Sequence, residues 1–124
     1  MVKVLSFLVR LGMCAGIILA ACGGGSGGGT NHPPNGTITS PATDVSIGTG
    51  ASVNFQAACT DPDGDSVTHL WSLGSGQTRT EQNPGNVVFP DPGVFVVTYT
   101  CTDSKGLADP TPDTRTITVT RPMP

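Results

Sequence analysis

The feature that most constrains this chain is a strict two-residue alternation in three segments. Val53, Phe55, Ala57 and Cys59 take every second position of "ASVNFQAAC" (51–59). Val67, His69, Trp71 and Leu73 do the same in "SVTHLWSL" (66–73), and Phe95, Val97, Tyr99 and Cys101 in "VFVVTYTC" (94–101). Successive side chains of a strand point to opposite faces, so each segment has one face for a core and one for water. A helix needs a 3.6-residue period, and no window beyond residue 36 carries one convincingly. Five further short candidates, "GTITS" (36–40), "DVSI" (44–47), "QTRTE" (77–81), "NVVF" (86–89) and "TRTITVT" (114–120), are separated by Gly, Pro and Asp. Abundant Thr and Val add β propensity. The expected class is all-β, an antiparallel two-layer sandwich.

The start of the chain reads differently. Residues 1–21, "MVKVLSFLVRLGMCAGIILAA", carry Lys3 and Arg10 and then an uncharged run of 11 residues from Leu11 to Ala21. That run is too short to span a bilayer and has the length of a signal-peptide core. It ends in Leu19-Ala20-Ala21-Cys22, which resembles the bacterial lipobox. The resemblance implies cleavage before Cys22, acylation of that cysteine, and attachment to a membrane without a transmembrane helix. Each buried acyl CH₂ contributes about 0.8 kcal/mol, and two chains suffice for stable anchoring. Gly23 rather than aspartate after the cysteine implies the outer membrane in a Gram-negative host. The alternative is an ordinary secretory signal with a chance cysteine. "GGGSGGG" (23–29) then reads as a flexible tether. The expected organisation is therefore 1–21 signal peptide, 22–35 tether and 36–121 sandwich.

Charge excludes one function class. Without residues 1–21 the chain keeps four basic residues (Arg79, Lys105, Arg115, Arg121) against nine acidic ones, a net charge of −5. No electrostatic footprint for nucleic acid exists. Of four cysteines, Cys14 leaves with the signal and Cys22 takes lipid, which leaves Cys59 and Cys101. In an exported protein their simplest use is one disulfide; a metal or redox pair is disfavoured because no C-x-x-C is present.

Cys59…Trp71…Cys101 is the order of an immunoglobulin-like sandwich, in which a buried Trp packs on an inter-sheet bridge. Tyr99, two residues before the second cysteine, has the spacing of a tyrosine corner. The segments "NHPPNGTI", "SVNFQAACTDPDGDSVTHLWSLGSG", "PDPGVFVVTYTCTDSKG" and "TITV" together resemble the PKD (polycystic-kidney-disease) repeat over roughly residues 31–120. The family's G-D-G aspartate is Ser75 here, its preceding aromatic is Leu73, and its strand tyrosine is Phe95.

The loop "CTDPDGDSV" (59–67) admits two readings. One is turn chemistry: Pro62 presets φ, Gly64 supplies a positive φ, and aspartates bond nearby amides. The other is calcium, a hard cation that takes six to eight oxygens. The position of Gly64 and Ser72 in place of a twelfth-position Glu exclude an EF-hand. The PKD resemblance implies a calcium set of Asn31, Asp61, Asp63 and Asp103, with Asp65 left in solvent. Acid–base catalysis by paired carboxylates needs a cleft, which a small sandwich loop does not offer. His69 lies on an inward face and His32 in the tether. The resulting expectation is a non-catalytic, lipid-anchored envelope protein displaying one PKD/Ig-like domain, as a spacer or for contact with an envelope protein or glycan. The rivals are a polysaccharide- or other ligand-binding surface module and, remotely, a small secreted hydrolase.

Overall fold

A computed structural model describes residues 29–124; the expected signal peptide, Cys22 and the expected tether up to residue 28 lie outside the described residues. The chain divides into two units, Met1–Asn31 and His32–Pro124. Among the described residues eight strands are present, all in the second unit: β1 (Asn35–Ser40), β2 (Val45–Gly48), β3 (Ser52–Thr60), β4 (Val67–Ser72), β5 (Thr78–Arg79), β6 (Gly85–Val88), β7 (Gly93–Asp103) and β8 (Asp113–Thr120). Each expected strand is present, with its ends shifted by a few residues. Among the described residues no helix is long and apolar enough to cross a membrane.

The strands form two sheets, β1-β3-β6 and β2-β8-β7-β4-β5. The alternation drives their stacking. Val53, Phe55 and Ala57 of β3 are buried, as are Trp71 of β4, Val97, Tyr99 and Cys101 of β7, and Ile117 and Val119 of β8. The aromatics run through the core in sequence: Phe55 to Trp71 at 5.5 Å and Trp71 to Tyr99 at 4.8 Å between ring centroids, both tilted. Such pairs add about 0.5–1.5 kcal/mol each beyond the area they bury. Trp71 Nε1 donates to the Glu81 carbonyl at 3.0 Å, so the indole is buried without an orphaned donor. A disulfide between Cys59 and Cys101, Cα–Cα 6.6 Å, ties β3 of one sheet to β7 of the other.

One pairing departs from the all-antiparallel expectation. β2 runs parallel to β8, with Val45 opposite Ile117. The β1–β3 register shifts between Ile38 and Ser40, and a cis Ser40–Pro41 peptide follows. The chain leaves the first sheet at that point and joins the edge of the second, so β1 and β2 belong to different layers.

Leaving β3's partner at this edge would expose backbone donors, and carboxylates cover them. The Gly36 amide donates to Asp109 Oδ2 at 2.6 Å and the Ile38 amide to Asp113 Oδ2 at 2.9 Å. Arg115 Nη2 donates to the Ile38 carbonyl at 2.9 Å and Nε to the Pro41 carbonyl at 2.8 Å. The free edge of β1 is thus satisfied by side chains rather than left as a template for another strand. Burial alone would push the Asp113 carboxyl up; the Ile38 amide, the Arg115 guanidinium and the Thr114 amide outweigh it and hold it below the usual 3.8.

Tyr99 is not a tyrosine corner. Its hydroxyl meets the Nδ1 of His69 at 2.7 Å rather than a backbone group, and the two rings stack 6.1 Å apart. His69 sits opposite Cys101 in the β4–β7 register, which brings its ring beside Tyr99 two residues away. Burial, with the nearby Asp109 charge, pushes the Tyr99 phenol up to about 12. Gly36 presses on the same spot: a Cβ there would lie 2.8 Å from Tyr99 Cε1 and 3.0 Å from Cys101 Sγ.

Candidate functional site

The loop between β3 and β4 folds as its turn residues dictate. Gly64 takes φ +78°, and its amide donates to the Asp61 carbonyl at 3.1 Å. Asp61 Oδ1 accepts from the amides of Asp63 (2.8 Å) and Asp65 (3.1 Å), so one carboxylate oxygen organises the whole turn. Its other oxygen, Oδ2, is buried and has no hydrogen-bond partner among the described residues.

Each neighbouring aspartate has a cationic or donor partner. Asp63 accepts from the His32 amide at 2.6 Å and lies 3.1 Å from His32 Nδ1. These contacts, the backbone one first, hold the Asp63 carboxyl below its usual value. His32, which the sequence assigns to the tether, is therefore fixed against the loop. Asp65 is half-buried and pairs with Lys105, whose amine is held above its ordinary value chiefly by that bond. Asp65 is thus not a solvated bystander. Lys105 is presented by the turn after β7, where the buried Asp103 accepts from the Lys105 and Leu107 amides through Oδ1, both at 2.8 Å.

Carboxylate oxygens of Asp61, Asp63 and Asp65 lie within 4.8 Å of one another. The cluster brings together two of the residues expected from the sequence, Asp61 and Asp63, and adds Asp65. Asp103 shapes the adjoining turn. Asn31 is half-buried and directly precedes His32 in the chain, in the other unit. Asp65 and Lys105 are 40 residues apart in sequence, so no local pattern could pair them. Nothing local in "LADPTPDT" marks Asp109 and Asp113, because their partners include backbone amides of a distant strand.

A family model for the PKD domain matches residues 37–116. Over 60 residues the chain is 43% identical to the pre-pro-metalloprotease PrtV of Vibrio cholerae serotype O1 (strain M66-2), a match covering 48% of this chain and 6% of that protein. The chain thus spans a small fraction of that curated relative's length. The crystal structure of the PKD1 domain of Vibrio anguillarum Epp superposes with TM-score 0.57 at 26% identity, over 75% of this chain and all of that one. A structure described as carbohydrate-binding modules from the β-sandwich superfamily gives TM-score 0.60 at 29% identity, over 75% of this chain and 36% of that one. With the family match running through both sheets and the two sulfurs that join them, the chain belongs to the PKD domain family.

Proposed function

We propose that this protein is a non-catalytic PKD module, exported and held to the bacterial cell envelope through lipid on Cys22, which acts by contact with an envelope glycan or protein. The observation that carries this reading is the cross-sheet Cys59–Cys101 bridge, since disulfides persist in oxidising compartments outside the cytosol. Export is what the leader "MVKVLSFLVRLGMCAGIILAA" supplies, and the lipobox-like Leu19-Ala20-Ala21-Cys22 supplies the mooring. A rigid, small, acidic domain suits display. A glycan is the favoured contact, because one similar solved structure is described as carbohydrate-binding modules. The large aromatics Phe55, Trp71, Tyr99 and Phe89 are all buried, so a flat aromatic platform for a polysaccharide chain is not the mode of contact. Fractionation tests the anchoring. The wild type is expected in the membrane fraction, and Cys22→Ser in the soluble one. A wild type recovered in the soluble fraction would refute it.

A second reading concerns calcium at Asp61, Asp63 and Asp65. The buried, unpartnered Asp61 Oδ2 supports it, because an orphaned carboxylate oxygen among three carboxylates fits a hard cation. Lys105 pairs with Asp65 and His32 hydrogen-bonds to Asp63, so the ion would compete with both and bind weakly. Millimolar Ca²⁺ is expected to raise the melting temperature, and Asp61→Ala to abolish the rise. An unchanged wild-type melting temperature would remove the metal.

A further inference from the structure

We propose that the cleft between the β4–β5 turn and the start of β7 takes a single pyranose ring, making it the glycan contact of this module. The proposal rests on reading the domain as an envelope contact module and adds where and what it touches. The cleft lies at the far end of β4 from the aspartate loop. Leu73 and Phe89 form its buried floor, Phe95 flanks it half-exposed, and Ser75, Gln77 and Asp91 stand around it.

Size decides the first question. The cleft holds about 150 Å³. Drug-sized ligands fill about 300–1,000 Å³. An engineered cavity of about 150 Å³ accepts one benzene. One six-membered ring is therefore the right occupant.

Chemistry decides the second. The partly exposed Phe95 ring packs on the buried Phe89 ring at 5.3 Å and 49°, and gives the cleft one aromatic side. Among the described residues the Asp91 carboxylate and the Ser75 hydroxyl make no hydrogen bond, and Gln77 Oε1 has only a long 3.4 Å contact from Arg79. An aromatic or proline ring would satisfy the floor and offer nothing to three polar groups. A pyranose has C–H bonds on its faces and hydroxyls on its edge, so it matches both. Asp91 would accept from two hydroxyls, and Gln77 and Ser75 would donate or accept at the same edge.

The cleft is also held in shape. The Leu73 amide donates to the Gln77 carbonyl at 2.9 Å, closing the turn. Gly74, at φ +76°, lies so close to β7 that a Cβ would meet the Val96 backbone at 2.9 Å. A site built on a pinned turn needs little ordering on binding.

The test is an NMR titration of the ¹⁵N-labelled full chain in detergent with glucose, galactose, N-acetylglucosamine and, as a ring without the hydroxyl pattern, phenol. At least one sugar is expected to shift the amides of Leu73, Gln77, Asp91 and Phe95, with Kd on the order of millimolar for so few atoms. Asp91→Ala should weaken that sugar about tenfold, the effect of losing one charged hydrogen bond. Ser75→Trp, at an exposed turn position, should abolish the shifts. Silence at these amides for all three sugars, shifts that survive Ser75→Trp, or phenol binding as tightly as the best sugar would each overturn the proposal. Membrane fractionation of the same chain is independent of these readouts, so loss of sugar binding with retained anchoring sinks the cleft alone.

Discussion

Replacing both bridge cysteines, Cys59→Ala with Cys101→Ala, should remove a large part of the domain's stability. The two residues are 42 apart in sequence, and freeing a loop of that length restores chain entropy worth about 4 kcal/mol. Cys101 is fully buried with Gly36 backed against its sulfur, so the truncation also leaves a small void costing about 1 kcal/mol. Typical domains have only about 5–15 kcal/mol in total. At about 4–8 °C per kcal/mol for a domain of this size, the melting temperature should fall by roughly 20 °C or more. Trp71 is the single tryptophan and is fully buried, so its emission follows unfolding in urea with no label. The urea slope should also rise, because an uncrosslinked unfolded chain exposes more surface. A stability loss under about 1 kcal/mol with an unchanged slope would refute the idea that the bridge acts by restraining the unfolded chain.

Gly36→Ala should cost about 1–3 kcal/mol by overpacking, since the new methyl lands 2.8 Å from Tyr99; an unmoved urea midpoint would contradict the packing described. The Tyr99 phenol, raised from 10.0 to about 12, stabilises the fold fully below pH 10. That contribution drains away between about pH 10 and 12, roughly 2–3 kcal/mol in all, so Tyr99→Phe should flatten the alkaline limb of stability against pH. If the variant keeps the wild-type limb, another group is responsible. Asp113 has a lowered folded pKa, so its contribution is present above about 3.8 and is lost as pH falls through the lower folded value. Asp113→Asn should lose about 1 kcal/mol at neutral pH and much of the acid dependence, measured by urea midpoints from pH 7 to 2.

The strands were legible because one-sided burial writes itself into every second residue, as in Val53, Phe55 and Ala57. The bridge was legible because two cysteines sat on inward positions with Trp71 between them. What local pattern could not carry was pairing. That β2 would lie parallel to β8 depends on the crossover after Ile38, not on "VSI" itself. In the candidate site, the alternate spacing marked Asp61, Asp63 and Asp65 together as a turn or a cation loop, and the family resemblance alone singled out Asp61 and Asp63. The roles of Asp65 and Lys105 required the β3–β4 and β7–β8 turns to meet at one end of the sandwich. The cleft at the other end was invisible for the same reason: Leu73 and Phe89 come from separate stretches, and their approach is a property of the stacked sheets.

Mass spectrometry of the protein purified from its own envelope tests the account most directly. The expected spectrum shows an N-terminal peptide beginning at Cys22 with added acyl mass, together with a Cys59–Cys101 cross-linked peptide. An N-terminus elsewhere, or a Cys22 free of lipid, in a chain whose other two thiols are reduced, would contradict it.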